Sequence, residues 1–216
     1  FGSLAGVIAA QFFSKADPTM GFIFALLAFP AGFIIRPLGA VVFGRIGDVV
    51  GRKYTFLVTI VIMGVATFAV GLLPTYDQIG IAAPCILIAL RMLQGLAVGG
   101  EYGGAVVYVA EHGTRNRRGF FTSWIQTTGT IGFMLSLIVV LLTRLTVGEA
   151  NFLAWAWRIP FLLSIILLGI SVWIRMSLEE SPVFAKMKAE GRVSKAPLSE
   201  AFGHWPNLKL VIVSLF

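Results

Sequence analysis

Two apolar runs, residues 20–43 and 54–73, stand on either side of one short charged stretch, residues 44–53, and that juxtaposition constrains the chain most. As a helix rising ~1.5 Å per residue, each run is long enough to cross a hydrocarbon core of ~30 Å. Two such helices around so brief a connection must cross the bilayer and return, leaving the connection on one side. The stretch sets Gly44, Asp48, Gly51, Arg52 and Lys53 in a G-x-x-x-D-x-x-G-R-K pattern, more chemistry than a connector needs.

Three further runs reach spanning length: residues 82–110, 120–143 and 153–176. Residues 1–13 are apolar but too short to cross, and the run 208–216 simply stops, so both ends read as cut from a longer polypeptide. With 12% charged residues against ~25% in an ordinary soluble domain, the composition agrees with a membrane protein. The expected fold is all-α and integral to the membrane. Residues 1–176 form a transmembrane bundle with a shortened first helix, 177–206 a cytoplasmic linker, and 207–216 the start of a seventh helix.

The excess of 17 basic over 10 acidic residues sits in loops, not on an amphipathic face, which argues against nucleic acid as a partner. Arg45, Arg52, Lys53, Arg115, Arg117, Arg118 and the linker's Lys186, Lys188, Arg192 and Lys195 fall on one side of the membrane. Lys15, Asp77 and Arg144 fall on the other. The richer side is cytoplasmic by the positive-inside bias. Cys85 is the single cysteine, so neither an intrachain disulfide nor a cysteine metal cluster is available. His112 and His204 lie in loops without metal-ligand spacing. No metal site and no cofactor is expected, protons aside.

Charges inside the spans carry the functional argument. Arg36, Arg91, Glu101 and Arg158 lie in apolar runs, where a central charge costs ~2.5–3.5 kcal/mol to insert. They should face a bundle interior, an aqueous cavity or one another. Arg36 and Arg158 are near enough to span ends to snorkel, with Trp155 and Trp157 as an interfacial anchor beside Arg158. On the fourth span Arg91, Gln94, Glu101 and Tyr102 share a polar stripe. Gly95, Gly99 and Gly103 form a small-residue stripe beside it, suited to close approach by another helix. Arg91 and Glu101 stand ~15 Å apart along the axis and need separate partners. Ser123, Gln126 and Thr130 share a face of the fifth span, either completing a cavity lining or bonding only to neighbouring helices.

The stretch 44–53 resembles the signature loop of the major facilitator superfamily. The run from Arg91 to Gly104, R-M-L-Q-G-L-A-V-G-G-E-Y-G-G, resembles the corresponding motif of its metabolite:proton symporter family. So do Arg36-Pro37-Leu38-Gly39, Ser123-Trp124-Ile125-Gln126-Thr127, Trp157-Arg158-Ile159-Pro160-Phe161 and Glu179-Glu180-Ser181-Pro182-Val183-Phe184. The resemblance implies the N-terminal six-helix bundle of a twelve-helix transporter in a bacterial inner membrane, working by alternating access. Its other partners would be the bilayer and the missing C-terminal half. Proton-coupled symport of a small organic acid or zwitterion is the implied function, the family's substrates including proline, betaines, shikimate, citrate and 2-oxoglutarate.

Within that frame Arg91 is the expected carboxylate ligand, because its planar fork suits bidentate binding. Gln94, Gln126, Ser123, Thr130 and Arg36 are the accompanying substrate-site candidates. Glu101, the one acid inside an apolar span, is the candidate for the coupling proton, since desolvation favours the neutral acid. Gating is expected of Gly44, Asp48, Gly51, Arg52, Lys53, Glu111, Arg117, Arg118, Glu179 and Glu180. Gly44 would admit a neighbouring helix, and Asp48 would complement a helix N-terminus, which in the superfamily belongs to the eleventh helix. Arg52 and Lys53 would pair with Glu111, Glu179 or Glu180. The alternatives are a passive channel or facilitator without proton coupling, or a membrane-embedded enzyme; a channel or passive pore would need a filter ring or re-entrant loop, and an enzyme convergent catalytic groups, and the sequence displays neither.

Overall fold

The computed structural model describes residues 2–13, 18–191 and 197–215. Lys15, Arg192 and Lys195 of the charge pattern, and the Arg115 side chain, lie outside the described residues. Among those residues there are helices and turns and no strand. A 3-10 turn, Gly2–Leu4, leads into the short α1, Ala5–Phe12. Then come α2, Pro18–Val49, α3, Arg52–Leu72, the single-turn α4, Tyr76–Ile79, and α5, Ala82–His112. A second 3-10 turn precedes α6, Arg118–Val147.

The sixth span differs from the single helix expected over 153–176. It is assembled from α7, Glu149–Ala154, a 3-10 turn at Ala156–Arg158, α8, Ile159–Leu162, and α9, Ser164–Ser177. Pro160 in the first turn of α8 explains a restart there, because its missing N–H is one that a helix start leaves unbonded anyway. Beyond it lie α10, Pro182–Ala189, α11, Pro197–Gly203, and α12, Trp205–Leu215. The linker is therefore partly helical, and the last helix begins at Trp205. Five helical segments are long and apolar enough to cross a membrane, Met20–Val49, Arg52–Leu72, Ala82–His112, Arg118–Val147 and Ala156–Ser177.

The charged stretch 44–53 is mostly helix, not turn. α2 runs on through Val49, and the reversal is confined to Val50 and Gly51. Gly51 takes φ +131°, open only to glycine at low cost, and a Cβ there would overlap the Glu180 carboxylate.

Glycine also decides how α2 meets α5. A Cβ on Gly95 would overlap the Gly32 carbonyl, one on Gly99 the Arg36 carbonyl, and one on Gly39 the Leu96 carbonyl. The two backbones touch directly, as small residues permit between membrane helices. Gly103, expected in the same seam, meets no atom within 4 Å; Gly100 takes its place against Phe43.

At the end opposite Gly51 sits an apolar core of Ile8, Phe12, Val70, Leu87, Phe152, Trp157 and Phe161. Trp157 is fully buried, edge-on to Phe12 and Phe161, so it is a core residue and not an interfacial anchor, whereas Trp155 is 54% exposed. Arg158 does not snorkel freely either. Its Nη2 donates to the Leu73 carbonyl at 3.1 Å, capping the end of α3, and its guanidinium lies 5.0 Å from the Trp157 ring.

Candidate functional site

The first polar site lies between α2, α3 and α5. Gly32, Phe33, Arg36, Met63, Thr67, Arg91, Gln94, Gly95 and Val98 line a cavity of about 240 Å³. Arg91 Nη1 donates to Gln94 Oε1 at 2.6 Å, and Gln94 Nε2 donates to Thr67 Oγ1 at 3.1 Å. The i, i+3 spacing on α5 places Arg91 and Gln94 on one face, and Thr67 of α3 completes the chain. Arg36 reaches the same cavity from α2, its guanidinium 3.7 Å from the Phe33 ring centroid. Its Nε is buried and makes no hydrogen bond with a described residue. The described lining thus offers two guanidinium groups and an amide, and no carboxylate.

Arg36, Arg91 and Gln94, expected in one site, are brought together. Ser123, Gln126 and Thr130 are not: they stand exposed on α6, outside this cavity. Ser123 Oγ donates to the Phe120 carbonyl at 2.8 Å and Thr130 Oγ1 to the Gln126 carbonyl at 3.3 Å, so both hydroxyls bond back to their own helix. Thr67 escaped the sequence reading because a threonine in an apolar span is unremarkable alone; only the third helix's position beside Gln94 gives it a role.

The second polar site is at the end where α2 turns into α3. Arg52 Nε and Nη2 donate to the two Glu111 oxygens at 2.9 and 3.0 Å, a bidentate pair with both side chains 15% exposed. Arg52 Nη2 is also 3.4 Å from Asp48 Oδ1. Glu180 caps α3: it accepts from the backbone N–H of Arg52 at 3.1 Å and of Lys53 at 3.3 Å. A carboxylate at a helix N-terminus is favoured by both hydrogen bonding and the macrodipole.

Lys53 and Glu179 depart from the expected pairing. Lys53 Nζ donates to the Met176 carbonyl at 2.8 Å, at the end of α9, and Glu179 offers its backbone carbonyl to Tyr108 Oη at 2.9 Å. Arg117 and Arg118 make no ion pair with any described residue. Ser181, which the sequence reading left without a role, is fully buried. Its Oγ donates to Glu111 Oε2 at 2.5 Å and accepts from the Phe184 N–H at 3.3 Å. Serine followed by proline is a helix-start signal, so its capping half was legible.

Beside this network Gly44, Gly47, Asp48, Gly99, Gly100, Gly103 and Gly104 line a groove of about 320 Å³. A Cβ added at Gly44 would meet no atom of another described element within 4 Å, and the residue floors this open groove. Within the membrane span of α5, Glu101 forms an ion pair with Arg175 of α9. Arg175 is the partner that sequence alone missed, because it lies at the edge of its span and reads as a flanking charge.

Comparison with known proteins fits this arrangement. The family model described as "Sugar (and other) transporter" matches residues 7–208. The chain belongs to that family. It is multi-pass, with five helical segments of spanning length. The proline/betaine transporter of Escherichia coli (strain K12) is 46% identical over 184 residues, covering 85% of this chain and 37% of the relative. The shikimate transporter of the same strain is 39% identical, covering 98% of this chain and 50% of the relative. The chain thus spans half or less of the length of these relatives. The fold is shared with the proton:xylose symporter XylE bound to 6-bromo-6-deoxy-D-glucose, at TM-score 0.76 and 15% identity, covering 88% of this chain and 42% of that one. The inward-open xylose transporter XylE from E. coli matches at TM-score 0.73 and 17% identity, over 97% and 49%.

Proposed function

We propose that this chain is the first bundle of a proton-coupled carrier for a small carboxylate-bearing metabolite, an organic acid or zwitterion, in a bacterial inner membrane. The observation that carries the reading is the cavity where Arg36 and Arg91 meet, with a buried Arg36 N–H that no described residue satisfies. Leaving a buried donor unmade is costly, and a carboxylate arriving there would satisfy it while neutralising cationic charge. Gln94, steadied by Thr67, would orient the bound molecule. The names of the relatives, proline/betaine and shikimate transporters, point to substrates of the same chemistry.

The groove and its ion pairs fit a gate at the cytoplasmic mouth. A glycine-floored groove rimmed by Asp48 is shaped to seat a helix of a second bundle with its positive end at the carboxylate. The Arg52, Glu111 and Glu180 contacts hold α3, α5 and the linker as one body while that helix docks and leaves. A passive facilitator shares the fold and the cavity and differs only in ignoring a proton gradient.

Arg91→Lys tests the cavity, because it keeps the charge and loses the fork. In the full-length polypeptide, equilibrium binding of L-proline, shikimate, 2-oxoglutarate and citrate should identify a carboxylate ligand. Its affinity should fall on the order of tenfold in the variant, the scale of one charge-assisted hydrogen bond. Wild-type affinity in Arg91→Lys would remove Arg91 from the site.

A further inference from the structure

Glu101 and Arg175 lie apart from the substrate cavity and take no part in the cytoplasmic network. Their ion pair joins α5 to α9, and each side chain is 19% exposed. The Arg175 guanidinium carbon also lies 5.0 Å from the ring centroid of Phe56 on α3, so three helices meet at this point. In the same turns α5 carries Gly99, Gly100, Gly103 and Gly104. So dense a run of glycine weakens a helix, since each adds backbone freedom and removes a side chain that could pack. Gly103 lies open beside the groove, whereas Gly99 packs on the Arg36 carbonyl, and Arg36 is one wall of the cavity.

We propose that Arg175 is a positioning residue that fixes the glycine-rich turns of α5 through Glu101, and thereby keeps Gly99 seated against Arg36. A pair held in a low-dielectric setting and backed by an aromatic face resists separation, and removing one partner strands the other charge. The geometry therefore assigns Glu101 the role of the anchor point on α5. The inference rests on the cavity reading only for its consequence at Arg36; the anchoring is independent of any substrate.

The test uses amide hydrogen exchange of residues 99–104 in the full-length protein in lipid. Arg175→Gln should speed exchange in that segment on the order of tenfold or more, as a local opening made easier. Arg175→Lys should restore most of the protection, because the charge returns. The pair-neutral E101Q/R175Q should be better protected than Arg175→Gln alone, having no stranded carboxylate. Unchanged exchange in Arg175→Gln, or a double variant looser than it, would overturn the anchoring. None of these readouts needs a ligand, so a failure of the cavity reading would leave them standing.

Discussion

Gly95→Ala tests the seam on which the cavity depends. The added methyl would lie 2.6 Å from the Gly32 carbonyl carbon and 2.7 Å from its Cα, with the carbonyl oxygen nearer still. Both sides of this contact are backbone, so no rotamer change relieves it. The helices would need to part by about an ångström to restore carbon contacts of ~3.5 Å, forfeiting a quarter to a half of the dispersion well along the seam. Overpacking of this kind costs ~1–3 kcal/mol, and the better helix propensity of alanine returns at most about 1 kcal/mol. A net loss of about 1–2 kcal/mol follows, roughly a five- to thirtyfold fall in the folded-to-unfolded ratio. Gly103→Ala is the matched control, since its Cβ would enter open space within 4 Å. It should be neutral or stabilising by up to about 1 kcal/mol. Equilibrium unfolding in detergent, followed by circular dichroism, measures both. Wild-type stability in Gly95→Ala, or equal losses in the two variants, would refute the backbone-contact argument.

Asp48→Asn and Arg52→Ala should slow exchange between inward- and outward-facing states more than they weaken substrate binding in the full-length protein; a large affinity loss with unchanged exchange would refute the gating role. Glu180→Ala removes the cap on α3 at a local cost of about 0.5–2 kcal/mol, seen as faster hydrogen exchange at residues 52–55, whereas Glu180→Gln keeps one acceptor and should fall between. Trp157→Ala empties a fully buried position and should cost ~3–5 kcal/mol in the same unfolding assay. Trp155→Ala, at a 54% exposed position, should stay within about 0.5 kcal/mol of wild type.

The fold was legible wherever apolar length decides it, because a backbone in lipid must satisfy its own hydrogen bonds and does so as a helix. The break inside the sixth span was less so: Trp155 to Arg158 is apolar enough to read as helix, and although Pro160 signals a restart, the burial of Trp157 between Phe12 and Phe161 shows only in the fold. Gly51 illustrates the same limit. Its glycine signals a reversal, yet the reason it admits no side chain is Glu180, 129 positions along the chain from it and brought there by α9. Arg91 and Gln94 were paired by helical spacing, which sequence carries. Thr67 and Arg175 come from other helices, and rotation about a helix axis is set by packing, so their partners are not encoded in spacing alone. Gly103 belongs to the helix seam by pattern, and the structure gives that contact to Gly100 instead.

Uphill transport tests the central claim most directly. The full-length polypeptide, reconstituted in liposomes with an imposed inward proton gradient, is offered radiolabelled L-proline, shikimate, 2-oxoglutarate and citrate, with an uncharged sugar as control. At least one carboxylate should accumulate above its external concentration, and a protonophore should abolish the accumulation. Entry of the same compounds only to equilibrium, unaffected by the gradient or the protonophore, would contradict a proton-coupled carrier and leave a passive facilitator.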